Sequence, residues 1–379
     1  MLLSGVECIK MKIGIYSDAH FSTSSSILVG SRGSYSKRLS YLVDSFEWMY
    51  EMFKKHEADI IINCGDLTTS DTINAEENSA LAKALSFGGS VPEFFLLGNH
   101  EIKDNKKKYS SIDLLGGYRH ITLIRDISFI DLNGNSLCMI PYFSDKEELM
   151  NIQSRLLEIQ SPTLVFSHLE YLGEGLLNGN GFLNTDGIDK DLLLENNNII
   201  KIFNGHLHNP LEIKRYCQVG SLIGNGFGDS YEFSKPRIII YDTSSQSIKS
   251  IENPHTVLFY KIRTKTMGDL NNQLQLLPKT QKCIQVVVPL SLRKKVSEFI
   301  IGKQKELQIE DFRVKSEAVN NSINSEDTAE IVNSVMDKID KISDYTNLHD
   351  MLKLFTDCSD SLPCSLPVMH YFLEKYFKP

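Results

Sequence analysis

The chain has 379 residues, a length that predicts two or three domains rather than one. Its hydrophobic content of 41% is enough for a sizeable core, and no apolar run approaches the roughly 20 residues that a membrane span needs. The first residues lack a charged region and a cleavage site, so we expect no signal peptide. Seven cysteines without paired spacing are typical of free thiols, and we expect the reducing cytoplasm of a bacterium or of a phage-infected host.

The charge of the chain is concentrated near its carboxyl end. Forty basic and 48 acidic residues give a net charge of −8. Residues 316–361 hold ten acidic residues and three lysines, which gives −7 and leaves −1 for the rest. This acidic tail disfavours contact with DNA, because phosphates would be repelled. The nearly neutral remainder does not exclude a nucleic-acid substrate.

Apolar runs of strand length alternate with helical patterns over residues 1–254. Continuous apolar runs fit strands buried on both faces, and strands that alternate with helices indicate an α/β domain. The predicted strands are 12–17, 59–63, 93–97, 163–167, 199–204 and 237–242, and the predicted helices are 41–56 and 75–86. The polar stretch at 22–38 is predicted to be a flexible surface insert.

The pattern changes after residue 254, and we predict a second, smaller α/β domain at 255–318. Its strands are expected at 256–264, 282–289 and 310–318, and its helix at 292–306. Residues 319–340 are polar and without periodicity, which indicates a linker. Residues 341–379 are predicted to form a helical segment with two short amphipathic helices.

The apolar runs of the first domain end in polar residues whose side chains carry oxygen or nitrogen donor atoms. These residues are Asp18 and His20, then Asp66, then Asn99 with His100 and Glu101, then His168, and finally His206 with His208. In open α/β sheets, sites form outside the carboxyl ends of the strands. The mixed oxygen and nitrogen donors suit Mn, Fe or Zn, and two ions that share one carboxylate would use all of them. Such two-metal sites carry out in-line displacement at phosphorus.

The motifs D-x-H, G-D, G-N-H-E, an isolated H and G-H-x-H, in this order, resemble those of the calcineurin-like metallophosphoesterases. The resemblance covers roughly residues 11–250 and implies an α/β fold, a double β-sandwich flanked by helices with a dinuclear metal site at one edge. By position it implies that Asp18, His20, Asp66 and His208 hold one ion, and that Asp66, Asn99, His168 and His206 hold the other. His100 would face the phosphate and assist the leaving oxygen.

Within that superfamily the chain resembles the SbcD-type nucleases, including phage recombination endonuclease subunits. The similar stretches are "FSHLEYLGEGLLNGNGF", "IFNGHLHNP", "VGSLIGNGFGD" and "PRIIIYD". The resemblance implies that the second domain caps the site and helps to select DNA, and that the terminal helices dock on an SMC-like coiled-coil ATPase subunit. Glu101 departs from this group, which usually has aspartate there, and its carboxylate is expected to reach the backbone or His100.

Basic and apolar residues outside the motifs suggest how DNA and the ATPase would be held. The lysines Lys103, Lys106, Lys107 and Lys108 directly follow the G-N-H-E motif, and they form either a clamp for the phosphate backbone or a solvated loop. Apolar stripes that include Leu348, Leu352, Phe355, Met369 and Phe372 either dock on the ATPase or pack on the main domain.

The resemblance also implies a homodimer that pairs through two helices. The first is expected at about 74–87 with Leu81, Ala84 and Leu85 on one face, and the second at about 109–116 with Ile112, Leu114 and Leu115. A two-fold pair would present two sites to two DNA ends.

We therefore expect a metal-dependent DNA nuclease, exonuclease or endonuclease, that uses two divalent ions and works with the ATPase in DNA recombination and repair. Manganese is the expected metal and magnesium the alternative. Two other functions stay open at this point. One is a nucleotide phosphodiesterase or phosphatase that acts alone, and the other is a non-catalytic scaffold for the ATPase.

Overall fold

The structure is a computed structural model, and it describes residues 10–24, 27–103, 109–173, 176, 187–229 and 235–316. The chain divides into two compact units, Met1–Val287 with Leu292–Lys315, and Val288–Ser291 with Ser316–Pro379. Of the second unit, only 288–291 and Ser316 are described. Every contact discussed below lies within the first unit.

The strands of the first half of the chain are β1 (Lys12–Tyr16), β2 (Ser31–Arg32), β3 (Tyr35–Ser36), β4 (Ile60–Asn63), β5 (Glu93–Leu96), β6 (Ile121–Ile124), β7 (Ser128–Leu132), β8 (Asn135–Ile140), β9 (Thr163–Ser167) and β10 (Tyr171–Leu172). The later strands are β11 (Ile188–Asp189), β12 (Ile199–Asn204), β13 (Leu211–Ile213), β14 (Tyr216–Gln218), β15 (Arg237–Asp242), β16 (Ser247–Glu252), β17 (Leu258–Arg263), β18 (Lys282–Val288) and β19 (Ile309–Ser316).

The α-helices are α1 (Lys37–Lys55), α2 (Ala75–Leu85), α3 (Lys146–Leu157), α4 (Lys190–Leu193), α5 (Met267–Leu276) and α6 (Arg293–Leu307), and short 3₁₀ helices lie at Asp113–Gly117 and Leu290–Leu292. Local sequence fixes where several helices begin. Asn74 caps α2, where its side chain accepts the amides of Glu76 and Glu77 while Glu77 binds the amide of Asn74 in return. No helix in the described part of the chain is long and apolar enough to cross a membrane.

Two six-stranded sheets form the main body of this unit. The first has the strand order β16-β15-β1-β4-β5-β6, and the second has β13-β14-β12-β9-β8-β7. In the first sheet, β1, β4, β5 and β6 are parallel. In the second, β14, β12, β9 and β8 are parallel. The parallel centres therefore gather the carboxyl ends of the site-bearing strands at common sheet edges.

The alternation of side chains along each strand supplies three apolar layers. In β4, Ile60 and Ile62 pack in the layer that also contains Phe166 and Phe203 of the second sheet, so this layer lies between the sheets. Ile61 points the other way, into the layer that the first sheet shares with α1 and α2. A third layer joins the outer face of the second sheet to α3 and α4. This is the predicted double sandwich flanked by helices, and the α/β fold class is confirmed.

A separate three-stranded sheet, in the order β17-β18-β19, accompanies α5 and α6. Its strands and α6 agree with the predicted elements within about two residues. The boundary that we placed at 254/255 and the capping role stay predictions. The linker at 319–340 and the helical segment at 341–379 lie outside the described residues.

Two expectations about the surface are corrected by the structure. The stretch at 22–38 is not simply a polar insert, because 31–36 form the β2–β3 hairpin and α1 already begins at Lys37. The expected dimer faces are largely internal. Leu81, Ala84 and Leu85 are buried with α1 in one apolar layer, and so are Ile112 and Leu115. A homodimer stays a prediction, and of the six residues named for its interface only Leu114 is exposed.

Candidate metal centre

Five loops bring the predicted ligands together. Asp18 and His20 follow β1, Asp66 follows β4, and Asn99 follows β5, all in the first sheet. The second sheet contributes His168 after β9, and His206 and His208 after β12. Hydrogen bonds between main chains hold two of these loops side by side, because the amides of Asp18 and His20 donate to the carbonyls of Gly65 and Asp66 at 3.0 Å.

The first group of converging atoms belongs to Asp18, His20 and His208. The Nε2 atoms of His20 and His208 face each other at 3.0 Å. Nε2 of His208 lies 4.0 Å from Oδ1 of Asp18. These three residues are one of three groups whose possible ligand atoms all lie within 4.8 Å of one another in the described part of the chain.

The second group belongs to Asp66, Asn99, His168 and His206. Oδ1 of Asn99 lies 3.2 Å from Nε2 of His168 and 3.1 Å from Nδ1 of His206. Nε2 of His168 in turn lies 3.3 Å from Oδ2 of Asp66.

The Asp66 carboxylate connects the two groups. The Oδ2 atom that faces His168 also lies 3.7 Å from Nε2 of His20, which belongs to the first group. Its Oδ1 accepts the backbone amide of His100 at 3.0 Å. The side chain is almost completely buried, so its position is set by the protein and not by solvent. This shared position is the one that a bridging carboxylate would need.

The Asp18 carboxylate is the clearest sign that the pocket is shaped for cations. Both of its oxygens are buried, and neither has a hydrogen-bond partner among the described residues. Buried carboxylates are ordinarily paired or bound to metal, because an uncompensated buried charge is costly. Burial accordingly raises the pKa of Asp18 above its usual range. Donor atoms on one ion at about 2.1 Å lie roughly 3 Å or slightly more apart. The His20–His208, Asn99–His206, Asn99–His168 and Asp66–His168 spacings of 3.0–3.3 Å match this, and the 3.7 and 4.0 Å spacings of Asp66–His20 and Asp18–His208 are longer.

The electrostatics of His168 support the same interpretation. Burial, the largest single influence, lowers its pKa, but the Asp66 carboxylate together with Asp18 and the Cys64 carbonyl raises the pKa to about 9. Its Nδ1 lies 2.6 Å from the carbonyl oxygen of Cys64, which can only accept, so Nδ1 carries a proton. The other ring nitrogen, Nε2, therefore points at Asp66 and Asn99. A cation bound there could replace the second proton of the imidazolium ring.

His100 lies at the rim of the centre and not inside it. Its side chain is 41% exposed, whereas those of His20 and His168 are almost fully buried. Its Nδ1 donates to the carbonyl of Thr69 at 3.0 Å, and its Nε2 is 3.9 Å from Oδ2 of Asp66. His20, Asp66 and His100 are therefore also close enough to be a candidate ligand group. The exposure favours the predicted role beside the substrate.

Strained backbone accompanies the ligands. Asp18, His20 and Asp66 each have φ of 53°, and His206 has φ of 72°. Non-glycine residues rarely adopt this left-handed conformation, and such strain clusters at functional sites. Gly98, which precedes Asn99, is required for another reason: its φ is not positive, but an added Cβ would overlap the Asp66 carboxylate.

Four residues around the centre were not predicted from the sequence. Glu170 lies 3.3 Å from Nε2 of His206, and Asp229 accepts from Nδ1 of His208 at 2.8 Å. Arg38, at the start of α1, donates to the carbonyl of His20 at 3.2 Å and to Asn225 at 2.6 Å. Glu170 lies in the stretch "FSHLEYLGEGLLNGNGF", and Asn225 and Asp229 lie in "VGSLIGNGFGD", but the sequence assigned them no role; Arg38, at a helix start, is in no motif.

The proposed DNA-binding and partner-binding residues are mostly outside the described part of the chain. Lys103 is described and exposed. Lys106, Lys107 and Lys108 lie outside the described residues, as do the partner-binding residues Leu348, Leu352, Phe355, Met369 and Phe372. Their roles stay predictions.

Solved structures that resemble this one are distant in sequence. A protein from Thermus thermophilus is 11% identical, with a TM-score of 0.39, and the match covers 64% of this chain and 98% of that one. A purple acid phosphatase from yellow lupin, Lupinus luteus, is 12% identical, with a TM-score of 0.44 and coverage of 65% and 52%. A dimetal phosphatase from Danio rerio is 12% identical, with a TM-score of 0.38 and coverage of 64% and 99%. Likenesses this distant carry no argument about activity.

Comparison of the sequence itself gives a decisive result for the family. No protein with curated annotation matches the chain. The sequence model of the calcineurin-like phosphoesterases matches residues 11–210, which is more than half of the chain and spans every converging ligand. The chain therefore belongs to the calcineurin-like phosphoesterase family.

Proposed function

We propose that the chain is a DNA nuclease that hydrolyses phosphodiester bonds at a two-metal centre. The observation that carries the metal-dependent hydrolysis is the position of Asp66, whose Oδ2 lies 3.3 Å from His168 and 3.7 Å from His20 and so joins two groups of donors. The carboxylate of Asp18, without a hydrogen-bond partner among the described residues, supports the same assignment.

The residues divide into two sets in this proposal. Asp18, His20, Asp66 and His208 would hold one ion, and Asp66, Asn99, His168 and His206 would hold the other. Two divalent ions supply an activated water and neutralise charge on the phosphate oxygens. We propose manganese as the physiological metal, because histidine, amide and carboxylate donors suit it, and magnesium as the alternative.

His100 is the proposed hydrogen-bond donor or acid for the leaving oxygen. The hydrogen bond from its Nδ1 to the Thr69 carbonyl fixes the ring, so Nε2 points toward the centre. Its partly exposed position would let it meet a bound phosphate from the solvent side. A lost acid or donor of this kind typically lowers the rate by about 10²–10⁴.

The choice of DNA over small nucleotides rests on parts of the chain outside the ligand set. The resemblance to the SbcD-type nucleases is one support, and the extra α/β sheet after residue 254 is another. Arg293, Lys294 and Lys295 form an exposed basic start of α6, and Lys103 is exposed beside the His100 loop. Exposed cations of this kind supply the sequence-independent part of DNA binding.

The experiment that tests this function compares substrates for one purified protein. We expect the chain with Mn²⁺ to cleave linear duplex DNA and circular single-stranded DNA, with at most slow hydrolysis of a nucleoside monophosphate or a cyclic nucleotide. Asp66→Asn, prepared identically, controls for contaminating nucleases. Rapid hydrolysis of small nucleotides with intact DNA would make the chain a nucleotide phosphodiesterase. Inactivity on every phosphoester would favour the scaffold function.

We further propose that the chain works as a homodimer with an SMC-like coiled-coil ATPase in DNA recombination and repair. This rests on the sequence resemblance and on the apolar stripes and acidic charge beyond residue 316. Co-purification with such an ATPase, followed by duplex cleavage with and without ATP, tests it. A reducing cytoplasm is the proposed location, and the four described cysteines are buried and free, as this requires.

A further inference from the structure

A short loop at 222–229 holds His208 from outside the ligand set. Oδ1 of Asp229 accepts the Nδ1 proton of His208 at 2.8 Å. Its Oδ2 accepts the backbone amides of Asn225 at 2.9 Å and Gly226 at 3.2 Å. The two oxygens therefore have different tasks, one toward the imidazole and one toward the loop's own backbone. The side chain of Asp229 is only 8% exposed, so water competes little for either bond.

The orientation of His208 depends on this carboxylate. Because Nδ1 donates to Asp229, Nε2 is the atom that meets His20 at 3.0 Å and Asp18 at 4.0 Å. His206 is held the opposite way, with Nε2 beside Glu170 and Nδ1 beside Asn99. Two carboxylates thus direct the two imidazoles of G-H-x-H through different nitrogens.

The same loop is clamped by the three-stranded sheet. The ring of Phe227 packs edge-on against Phe259 of β17, with centroids 5.3 Å apart. The guanidinium of Arg313, on β19, lies 4.6 Å from the centroid of the Phe227 ring. Arg313 is itself held by Gln285 of β18 through a hydrogen bond of 2.6 Å. All three strands of the small sheet thus contribute to the contact.

Phe227 transmits this clamp because of its place in the loop. Asn225 and Gly226, whose backbone amides donate to Asp229, precede Phe227 in the loop, and Asp229 follows it. The side chain of Phe227 is buried, and the loop's start is fixed by a hydrogen bond of 2.8 Å from the Gly224 amide to Thr256. A shift of Phe227 would therefore move Asp229, and with it the hydrogen bond to His208.

We propose that Asp229 is a positioning residue for His208, and that the small sheet, through Phe227, sets how tightly Asp18, His20 and His208 bind a divalent cation. This inference rests on the proposed metal centre. Mutation of residues that orient metal-binding histidines typically weakens metal affinity by about 10- to 100-fold. The small sheet would then be part of the metal centre's support and not only a neighbour of it.

The test measures Mn²⁺ binding by the metal-stripped full chain, with free Mn²⁺ quantified by its electron paramagnetic resonance signal. We expect two sites in the unaltered chain and a roughly 10- to 100-fold weaker affinity at one of them in Asp229→Ala. Phe227→Ala should weaken the same site by a smaller factor, roughly threefold to tenfold, the size of one aromatic or cation–π contact. Phe227→Tyr keeps a ring between Phe259 and Arg313 and should retain the original affinity.

Two further variants separate positioning from other effects. Phe129→Ala removes a half-exposed aromatic ring 5.7 Å from Arg155, on the edge strand β7, and it should leave both affinities unchanged. Asp229→Asn keeps one acceptor and most of the volume, so it should fold and bind with intermediate affinity. The inference would be wrong if Asp229→Ala bound Mn²⁺ as the unaltered chain does, or if Phe129→Ala weakened binding as much as Phe227→Ala does. Either result would leave the proposed metal centre itself intact. Absence of Mn²⁺ binding by the unaltered chain would overturn the metal centre and this inference with it.

Discussion

Glu101 accepts the backbone amide of Thr68 at 2.8 Å, and this bond ties the loop after β5 to the loop after β4. Its other oxygen accepts the amides of Gly98 at 2.6 Å and Asp66 at 3.2 Å. Burial and the nearby charge of Asp66 raise the pKa of this carboxyl to about 8, although the hydrogen bonds from the backbone amides of Thr68 and Gly98 oppose the rise. The expected contact with the backbone is therefore present, and the fully buried Glu101 holds together the loops that carry Asp66 and Asn99.

Replacing Glu101 with glutamine should destabilise the chain. Above about pH 8, where Glu101 is ionised, both of its oxygens accept backbone amides. Glutamine offers one oxygen and places its NH₂ group against one of those amides, so at least one buried donor would lose its partner. The expected loss in the free energy of unfolding is about 1–3 kcal/mol. Urea unfolding of metal-stripped protein measures it. Glu47→Gln, at an exposed position of α1, is the control and should change stability little. Equal stabilities of the two variants would refute the tie between the loops.

His100→Ala should keep both metals and lose activity. The side chain lies at the exposed rim and its Nδ1 is taken by Thr69, so its removal leaves Asp18, Asp66 and the other histidines in place. Cleavage should fall by roughly 10²–10⁴. Metal content by atomic absorption and cleavage of duplex DNA check the two halves of this prediction. His255→Ala, at an exposed position, is the matched control. Loss of a metal from His100→Ala would make His100 a ligand.

Asp66→Asn should abolish cleavage and lower the metal content below two ions per chain. The shared oxygen, 3.3 Å from His168 and 3.7 Å from His20, would become part of a neutral amide. The hydrogen bond from the His100 amide to Oδ1 can persist, so the fold should survive. Metal stoichiometry after dialysis against Mn²⁺ is the measurement. Two fully occupied sites in this variant would place the bridge at another residue.

Stability should fall as pH rises through neutrality because of Glu93. This buried carboxyl accepts hydrogen bonds from Tyr16 at 3.0 Å and Tyr50 at 2.9 Å, and burial raises its pKa from 4.5 to about 7. In the folded chain it therefore holds its proton at pH values where the unfolded chain releases it. The contribution to stability is complete below about pH 4.5 and is lost as pH rises through about 7, a change of about 3 kcal/mol.

Glu93→Gln is the variant that isolates this effect. A neutral amide of the same size has no proton to lose, so urea unfolding of the variant should vary less between pH 5 and 8 than that of the original chain. The exposed Glu47→Gln change should leave the original pH dependence intact. A variant whose pH profile is the same as that of the unaltered chain would show that Glu93 titrates normally.

Truncation after residue 318 should separate the metal centre from the ATPase. All seven proposed ligands precede that point, and the described unit that holds them ends at Lys315. Metal binding and basal cleavage of single strands should be nearly intact, while ATP-stimulated processing of duplex ends should be lost. An unfolded truncated chain, or one without metal, would show that the terminal segment belongs to the core.

Central strands of both sheets, and the convergence of the proposed ligands at their ends, can be predicted from the sequence, because a strand buried on both faces forms a short apolar run. Runs such as 163–167 and 199–204 are mostly apolar, and the structure reproduces their bounds. The strands that escaped prediction are short, partly exposed or lack a continuous apolar run; β14, for example, is buried but has only three residues. β7 alternates between half-buried and exposed residues and has no continuous apolar run. A signal was nevertheless present, since Asn133 and Gly134, both with positive φ, form the two-residue turn into β8.

The supporting residues of the centre are harder to predict because their partners are distant in sequence. Asp229 is 21 residues from His208, and Arg38 is 187 residues from Asn225. Such contacts depend on how the loops at the sheet edges meet, and that in turn depends on the packing of both sheets. Patterns in a single sequence describe the periodicity along one helix or strand and carry no information about contacts between distant loops. The ligands themselves were found because each directly follows a recognisable strand.

The left-handed backbone at Asp18, His20, Asp66 and His206 has a consequence for how the chain can evolve. Each such residue costs about 1–3 kcal/mol relative to a relaxed conformation, and glycine would adopt the same angles almost freely. At Asp18, glycine would in addition remove a buried carboxylate whose oxygens find no hydrogen-bond partner among the described residues. A lineage that needed only a folded scaffold would gain stability by exchanging these side chains. Four such residues at one site lower the stability of the fold, so stability alone does not account for their presence there.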